Sequence, residues 1–96
     1  LGVDVEALTP DISEEHGYRG FKGVVVLKVQ PGSPADTAGL QVRDLIMEFD
    51  GKPVKVPLDF TRIVDRLTIG QRVPFGILRK GEFRKLRATV GQAPTQ

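Results

Sequence analysis

The chain has 96 residues and a formal net charge of +2, enough for one domain with a single, modestly stable core. It contains no cysteine, which excludes disulfides, thiol nucleophiles and thiolate metal sites. The small net charge does not argue for nucleic-acid binding, and no apolar run approaches the roughly 20 residues of a membrane-spanning helix. No signal-peptide pattern opens the sequence, and we expect Leu1 to be a boundary inside a longer protein.

The first third of the chain predicts two strands separated by a short helix. Residues Gly2–Leu8 alternate apolar and acidic side chains, which indicates a half-buried strand. Thr9 is a good N-cap, Pro10 suits the first helical position, and Gly17 ends the helix. The segment Val24–Val29 is almost continuously apolar, which is typical of a central strand buried on both faces.

Capping and turn preferences predict the local structure of nearly every residue in the segment Gln30–Val54, which reads QPGSPADTAGLQVRDLIMEFDGKPV. Ser33 is a good N-cap before a proline, and Gly39 can take the left-handed conformation that stops a helix. A short helix of one to two turns is therefore predicted between them. The strand Leu45–Phe49 follows, and the Asp-Gly pair after it is a strong signal for a two-residue turn.

The second half predicts a longer helix and a hairpin. The helix Leu58–Leu67 carries apolar residues at helical spacing on one face. A strand Arg72–Arg79 follows, in which Pro74 predicts a sheet edge or a bulge. A Lys-Gly turn connects it to the strand Phe83–Val90. Residues 91–96 contain no apolar anchor and are expected to form a disordered tail or linker.

The motif GSPADTAGLQVRDLIMEFDGKPV strongly resembles the PDZ domain, in the variant found in bacterial HtrA-type serine proteases. Weaker similarity continues along the chain in the right order. The resemblance implies an α+β fold over residues 1–90, a PDZ-like small β-sandwich or open barrel of five or six strands with two helices. It also implies the circularly permuted bacterial topology, with the last strand preceding the N-terminal loop in space. One departure is Arg43, since the family usually has glycine before the aspartate at this turn.

The resemblance further implies that Leu1, Gly2 and Val3 bind the C-terminal carboxylate of a peptide. A glycine permits close backbone approach, and successive backbone N–H groups form a nest for an anion. The peptide would add a strand in a groove between the first strand and the long helix. Phe60, Ile63 and Leu67 are expected to face the core. The groove-facing residues are then predicted to be Asp4, Val5, Leu58, Thr61, Val64 and Asp65, which favour apolar ligand side chains.

No catalytic residue, metal or cofactor is predicted. His16 is the only histidine, and its candidate nucleophiles Ser13 and Ser33 are better explained as polar residues associated with helices. Neither serine lies in a nucleophile elbow. The acidic residues of the first helix lack the spacing of a metal-binding loop, so a solvated helix face is the favoured interpretation.

The predicted hairpin is rich in basic residues, namely Arg79, Lys80, Arg84, Lys85 and Arg87. Such a patch could contact anionic lipid or nucleic acid, but no aromatic ladder accompanies it, as single-strand binding would require. Basic residues that protect an edge hairpin from aggregation are the favoured interpretation. We therefore predict no nucleic-acid partner and leave open a weak membrane-surface contact through Arg79, Lys80, Arg84 and Lys85.

Taken with the resemblance, the sequence predicts a non-catalytic peptide-binding module. It would capture C-terminal or extended hydrophobic segments of unfolded or signalling proteins by strand addition. It would regulate an attached HtrA-type serine protease, or deliver substrate to it, in the bacterial periplasm or cell envelope. The alternative is a PDZ module of a site-2 or C-terminal-processing protease, or of a non-proteolytic scaffold protein.

Overall fold

The computed structural model describes residues 2–91, which form six strands and three helices. Leu1 and residues 92–96 lie outside the described residues, and with them most of the predicted tail. The elements in chain order are β1 (Val3–Ala7), α1 (Pro10–His16), β2 (Val24–Val29), α2 (Pro34–Thr37), β3 (Leu45–Phe49), β4 (Lys52–Pro53), α3 (Pro57–Asp65), β5 (Arg72–Arg79) and β6 (Glu82–Thr89). The α+β fold expected from the sequence is confirmed.

One antiparallel sheet runs in the order β1-β2-β3-β5-β6, with β4 paired to β3. Strands β1 and β6 are its two edges, and both lie close to α2. A Cβ atom on Gly2 would lie 2.2 Å from Cβ of Ser33, and one on Gly91 would lie 3.7 Å from Cγ of Pro34. The two ends of the described chain therefore lie on the same side of the domain, as the permuted topology requires.

The larger core lies between one face of the sheet and helices α2 and α3. It includes Phe49, which stacks on Phe75 at a centroid distance of 5.4 Å and meets Phe60 of α3 edge to face at 5.1 Å. A smaller cluster on the other face is built around Tyr18, with Ile12 of α1 packed against it. The sheet is therefore covered on both faces, which explains the apolar composition of β2.

Strand β2 is central, as predicted, but only its first half is fully buried. Val24, Val25 and Val26 are at most 1% exposed, whereas Leu27 is 48% exposed. The pairing with β1 shifts at this point, so that Leu27 is left without a partner residue in the register. In a bulge of this kind, the side chain of the extra residue, here Leu27, does not follow the regular alternation between the two faces of the sheet.

Helix termini follow the local signals closely. The hydroxyl of Thr9 accepts a hydrogen bond from the N–H of Ile12 at 3.3 Å, and Gly17 ends α1 with a φ of +75°. Helix α3 begins at Pro57, one residue before the predicted start, and ends at Asp65. The carboxylate of Asp59 caps it by accepting from the N–H of Lys55 at 3.0 Å.

The prediction that Pro74 marks an edge or a bulge is wrong, because β5 lies between β3 and β6 in the sheet. Phe49 and Phe75 form the last residue pair between β3 and β5, so Pro74 lies just beyond it. Its carbonyl accepts a hydrogen bond from the N–H of Asp50 in the following turn at 2.8 Å. The missing N–H of proline faces that same turn rather than a ladder partner, and no ladder bond is lost.

Candidate functional site

Strand β1 presents one unpaired backbone edge. Its other edge pairs with β2, and the carbonyl of Gly2 accepts a hydrogen bond from the N–H of Gln30 at 2.8 Å. Backbone groups of successive residues point to opposite sides of a strand, so the N–H and C=O of Val3 point to the open edge. An open edge of this kind is the element to which an extended peptide adds as a further strand.

A groove of about 330 Å³ lies between this edge and α3. The residues that line it are Val3, Asp4, Val5, Pro57, Phe60, Thr61, Val64 and Asp65. Val3, Val5 and Val64 are half-buried and pack against the main core, while Phe60 is only 6% exposed. The floor of the groove is therefore apolar, and its polar side chains lie at the rims.

The structure brings together all but one of the groove residues predicted from the sequence. The exception is Leu58, which is 53% exposed and does not line the groove. Because α3 starts at Pro57, it is Pro57 and Thr61, four residues apart, that share the groove face. Phe60 was predicted only as a core residue, yet it also closes the groove floor. The preference of proline for the first helical position was the sequence signal that could have located the start of α3 at Pro57.

Gly2 lies at the start of β1 with a φ of +84°, a conformation that side chains rarely adopt. A Cβ atom there would also collide with the buried Ser33 at 2.2 Å. The glycine is thus required by the packing of α2, whatever it contacts in a complex. Leu1, the first residue of the predicted carboxylate loop, lies outside the described residues.

Arg79 does not belong to the free basic patch predicted from the sequence. It donates to the carboxylate of Asp44 from Nε at 2.8 Å and from an Nη atom at 2.6 Å, and to the carbonyl of Gly39 at 2.9 Å. Asp44 is 2% exposed, and the side chain of Arg79 is 18% exposed. Hydrogen bonding to this carboxylate raises the pKa of Arg79. The pair joins the end of β5 to the turn before β3.

That turn contains Arg43, which adopts a φ of +81° where the resembled family usually has glycine. The hydroxyl of Tyr18 donates a hydrogen bond to the Arg43 carbonyl, and the Arg43 N–H donates to the carbonyl of Val26 at 2.8 Å. These bonds hold the backbone in a conformation that costs energy for a residue with a side chain. Burial is the largest cause of the raised pKa of Tyr18, and the charge of Asp44 adds to it.

His16 and Ser33, both considered for catalysis, have other contacts. Nε2 of His16 lies 3.0 Å from an Nη atom of Arg43. Ser33 is buried, and its hydroxyl accepts from the N–H of Asp36 at 3.2 Å as the N-cap of α2. Within residues 2–91, no group of three or more histidine, aspartate and glutamate side chains is placed to hold a metal ion.

The rest of the basic hairpin lies on β6 and the turn before it. Strand β6 is a sheet edge, where lysine and arginine discourage pairing with other chains. Arg84 forms an exposed ion pair with Glu82 at 3.3 Å, and Phe83 is 51% exposed beside it. Across the described part of the chain, no helix is both long and apolar enough to span a membrane. A membrane-surface contact through Lys80, Arg84 and Lys85 stays a prediction.

Comparison with known proteins identifies similar domains. Residues 1–90 match the family described as the PDZ domain. The chain is 33% identical over 96 residues to a probable periplasmic serine endoprotease, DegP-like, of Ectopseudomonas mendocina, covering 100% of this chain and 20% of that protein. Among solved structures, the HtrA-type protease AlgW with a decapeptide superimposes with a TM-score of 0.89 at 34% identity, covering 100% of this chain and 30% of that one.

A second solved structure supports the fold alone. The PDZ domain of HtrA3 bound to a phage-derived ligand has a TM-score of 0.78 at 20% identity, and the match covers 93% of this chain and 81% of that one. The chain spans about 20% of the length of the curated relative from Ectopseudomonas mendocina. The catalytic domain of such proteases therefore lies outside the segment that this chain matches.

Proposed function

The chain belongs to the PDZ domain family, and from this premise we propose that it captures a C-terminal or extended apolar peptide by strand addition to β1. The observation that carries the proposal is the open edge of β1, which faces α3 across a groove with an apolar floor. Main-chain hydrogen bonds along such an edge provide affinity, and pockets for alternate side chains provide specificity. In this proposal, the backbone around Gly2 and Val3 binds the terminal carboxylate.

We further propose that the domain serves an HtrA-type serine protease of the periplasm or cell envelope. The similarity over the whole chain to the endoprotease of Ectopseudomonas mendocina supports this setting. The proposed ligands are the C-termini of unfolded or signalling proteins, and their capture either regulates the attached protease or delivers substrate to it. In the parent protein, adding a binding peptide should change the rate at which a separate substrate is cleaved. An unchanged rate at saturating peptide would refute the regulatory part.

The carboxylate site is tested with one peptide in two forms. A short peptide that ends in an apolar residue should bind with a free C-terminus and bind at least about tenfold more weakly when that terminus is amidated. Amidation removes the negative charge of the C-terminus. It also replaces one acceptor oxygen with an NH2 donor, which would face the backbone N–H groups of the domain. Each charge-assisted hydrogen bond contributes roughly 1.5–3 kcal/mol. Titration by calorimetry or NMR measures both affinities. Equal affinities would mean that the domain does not recognise C-termini.

The groove itself is tested by blocking it. Thr61 is exposed on the groove face of α3, and Arg62 is exposed on the same helix but does not line the groove. Thr61→Trp should fill the groove and weaken binding of the free-acid peptide about tenfold or more. Arg62→Trp is the matched control and should change the affinity by less than about twofold. Equal effects of the two variants on affinity would mean that the peptide does not bind in this groove. Gly2 is unsuitable for this purpose, because its substitution disrupts packing against Ser33.

A further inference from the structure

The groove carries a carboxylate on each rim and no compensating cation. Asp4 lies on the strand side and Asp65 on the helix side, and both are exposed. None of the eight residues that line the groove is basic. The ion pairs formed within residues 2–91 are Arg79–Asp44 and Arg84–Glu82, so neither groove carboxylate is neutralised by an ion pair inside the described domain.

Lys28 is the cross-strand partner of Asp4 in the register between β1 and β2. An opposite-charge pair is common in this arrangement, yet the two side chains are not within ion-pair distance of each other. Lys28 and Asp4 line one depression together with Gly2, Val3 and Gln30. Because no ion pair joins the two side chains, the carboxylate of Asp4 can still meet a cation of a ligand that enters from the open edge of β1, with Lys28 as a nearby competitor.

We propose that the groove selects peptides with a lysine or arginine next to an apolar C-terminal residue. This inference rests on the proposed strand addition and identifies the class of peptide that the site prefers. Val3 and Val5 pack against the core, so Asp4 between them faces the opposite side of β1. Side chains of an added strand alternate in the same way. When the terminal side chain enters the apolar floor, the penultimate side chain lies on the Asp4 side of the groove.

The expected size of the affinity preference follows from the exposure of the Asp4 carboxylate. A solvent-exposed ion pair is weak, so a penultimate lysine should improve affinity about two- to fivefold over a neutral residue of similar size. A peptide with penultimate glutamate should bind more weakly than one with the neutral residue, because its charge then lies beside the like charge of Asp4. The difference between lysine and glutamate should shrink in about 0.5 M salt, since screening acts strongly on exposed charges.

The experiment uses acetylated pentapeptides that end in valine with a free C-terminus and differ only at the penultimate residue, which is lysine, methionine or glutamate. Calorimetry ranks their affinities for the unchanged chain and for Asp4→Asn, Asp65→Asn and the double variant. Asp50→Asn is the matched control, because it removes the same charge at a turn outside the groove where asparagine is well tolerated.

The expected result is a ranking of lysine above methionine above glutamate that is lost in Asp4→Asn and in the double variant and largely kept in Asp65→Asn, because Asp65 lies on the helix side of the groove. The Asp50→Asn control should keep the full ranking. Equal affinities of the three peptides for the unchanged chain would overturn the charge preference and leave the strand-addition proposal intact. A ranking that survives in the double variant would also overturn it. If none of the free-acid peptides binds, the proposed function fails and this inference fails with it.

Discussion

Removing Arg79 from its ion pair with Asp44 is expected to destabilise the domain strongly. The perturbation is Arg79→Met, which keeps an unbranched apolar stem but removes the guanidinium group. Three hydrogen bonds are lost, two to Asp44 at 2.8 and 2.6 Å and one to the carbonyl of Gly39 at 2.9 Å. In the unchanged chain Asp44 is 2% exposed, and its carboxylate also accepts a hydrogen bond from the N–H of Gln41 at 2.8 Å.

Removing one partner of a fully buried pair costs about 3–5 kcal/mol, because the other charge remains buried and uncompensated. Arg79 keeps 18% of its side chain exposed, so water can partly replace it. We therefore expect Arg79→Met to lower the free energy of unfolding by about 2–4 kcal/mol. That is a large share of the roughly 5–15 kcal/mol available to a small domain.

Urea denaturation followed by circular dichroism at neutral pH measures this loss. Arg84→Met is the matched control, because Arg84 pairs with Glu82 at 3.3 Å with side chains 50% and 71% exposed. Its cost should stay below about 1 kcal/mol. Adding Asp44→Asn to Arg79→Met should recover part of the lost unfolding free energy, because asparagine removes the uncompensated carboxylate charge and keeps a hydrogen-bond acceptor. Equal costs for Arg79→Met and Arg84→Met would refute the reasoning.

Three further predictions concern the core, the groove and the hairpin. Because the pKa of Tyr18 is raised mainly by burial, its contribution to stability is complete below the ordinary pKa of about 10 and is lost as pH rises through the folded pKa. Tyr18→Phe should therefore flatten the fall in unfolding free energy above that pH in denaturant titrations; an unchanged slope would contradict the assignment. Phe60→Ala should cost about 3–5 kcal/mol and Thr61→Ala under about 1 kcal/mol, the latter altering peptide affinity instead; the reverse order would mean that α3 is rotated. Changing Arg84 and Lys85 to glutamate should leave peptide affinity within about twofold, and any binding to anionic vesicles should vanish near roughly 0.2 M salt, whereas salt-resistant vesicle binding would establish a membrane contact.

Elements whose causes lie within a few residues were predictable from the sequence. The N-cap at Thr9 and the left-handed Gly17 set both ends of α1, since a cap acts through hydrogen bonds inside one turn. The turns at Asp50 and Lys80 are equally local. Each is followed by glycine, and all four residues have a positive φ, as a two-residue type I′ hairpin turn requires. The open edge and apolar floor of the groove were anticipated through the family resemblance and the helical periodicity together.

Contacts between residues far apart in the sequence were decided only by the tertiary structure. Arg79 appeared to belong to a basic surface, because its partner Asp44 lies 35 residues away and meets it only once the sheet has formed. Pro74 was predicted to mark a sheet edge, because proline cannot donate to a ladder. The register between β3 and β5 ends at the pair of Phe49 and Phe75, so an interior strand can hold Pro74 just beyond it.

Leu58 was assigned to the groove because Phe60, Ile63 and Leu67 were expected to face the core, which left Leu58 on the other side of the helix. The helical periodicity placed Thr61, Val64 and Asp65 beside the groove that the structure forms. Which residue of the first helical turn reaches the groove depends on how the start of α3 packs against β1, and that residue is Pro57.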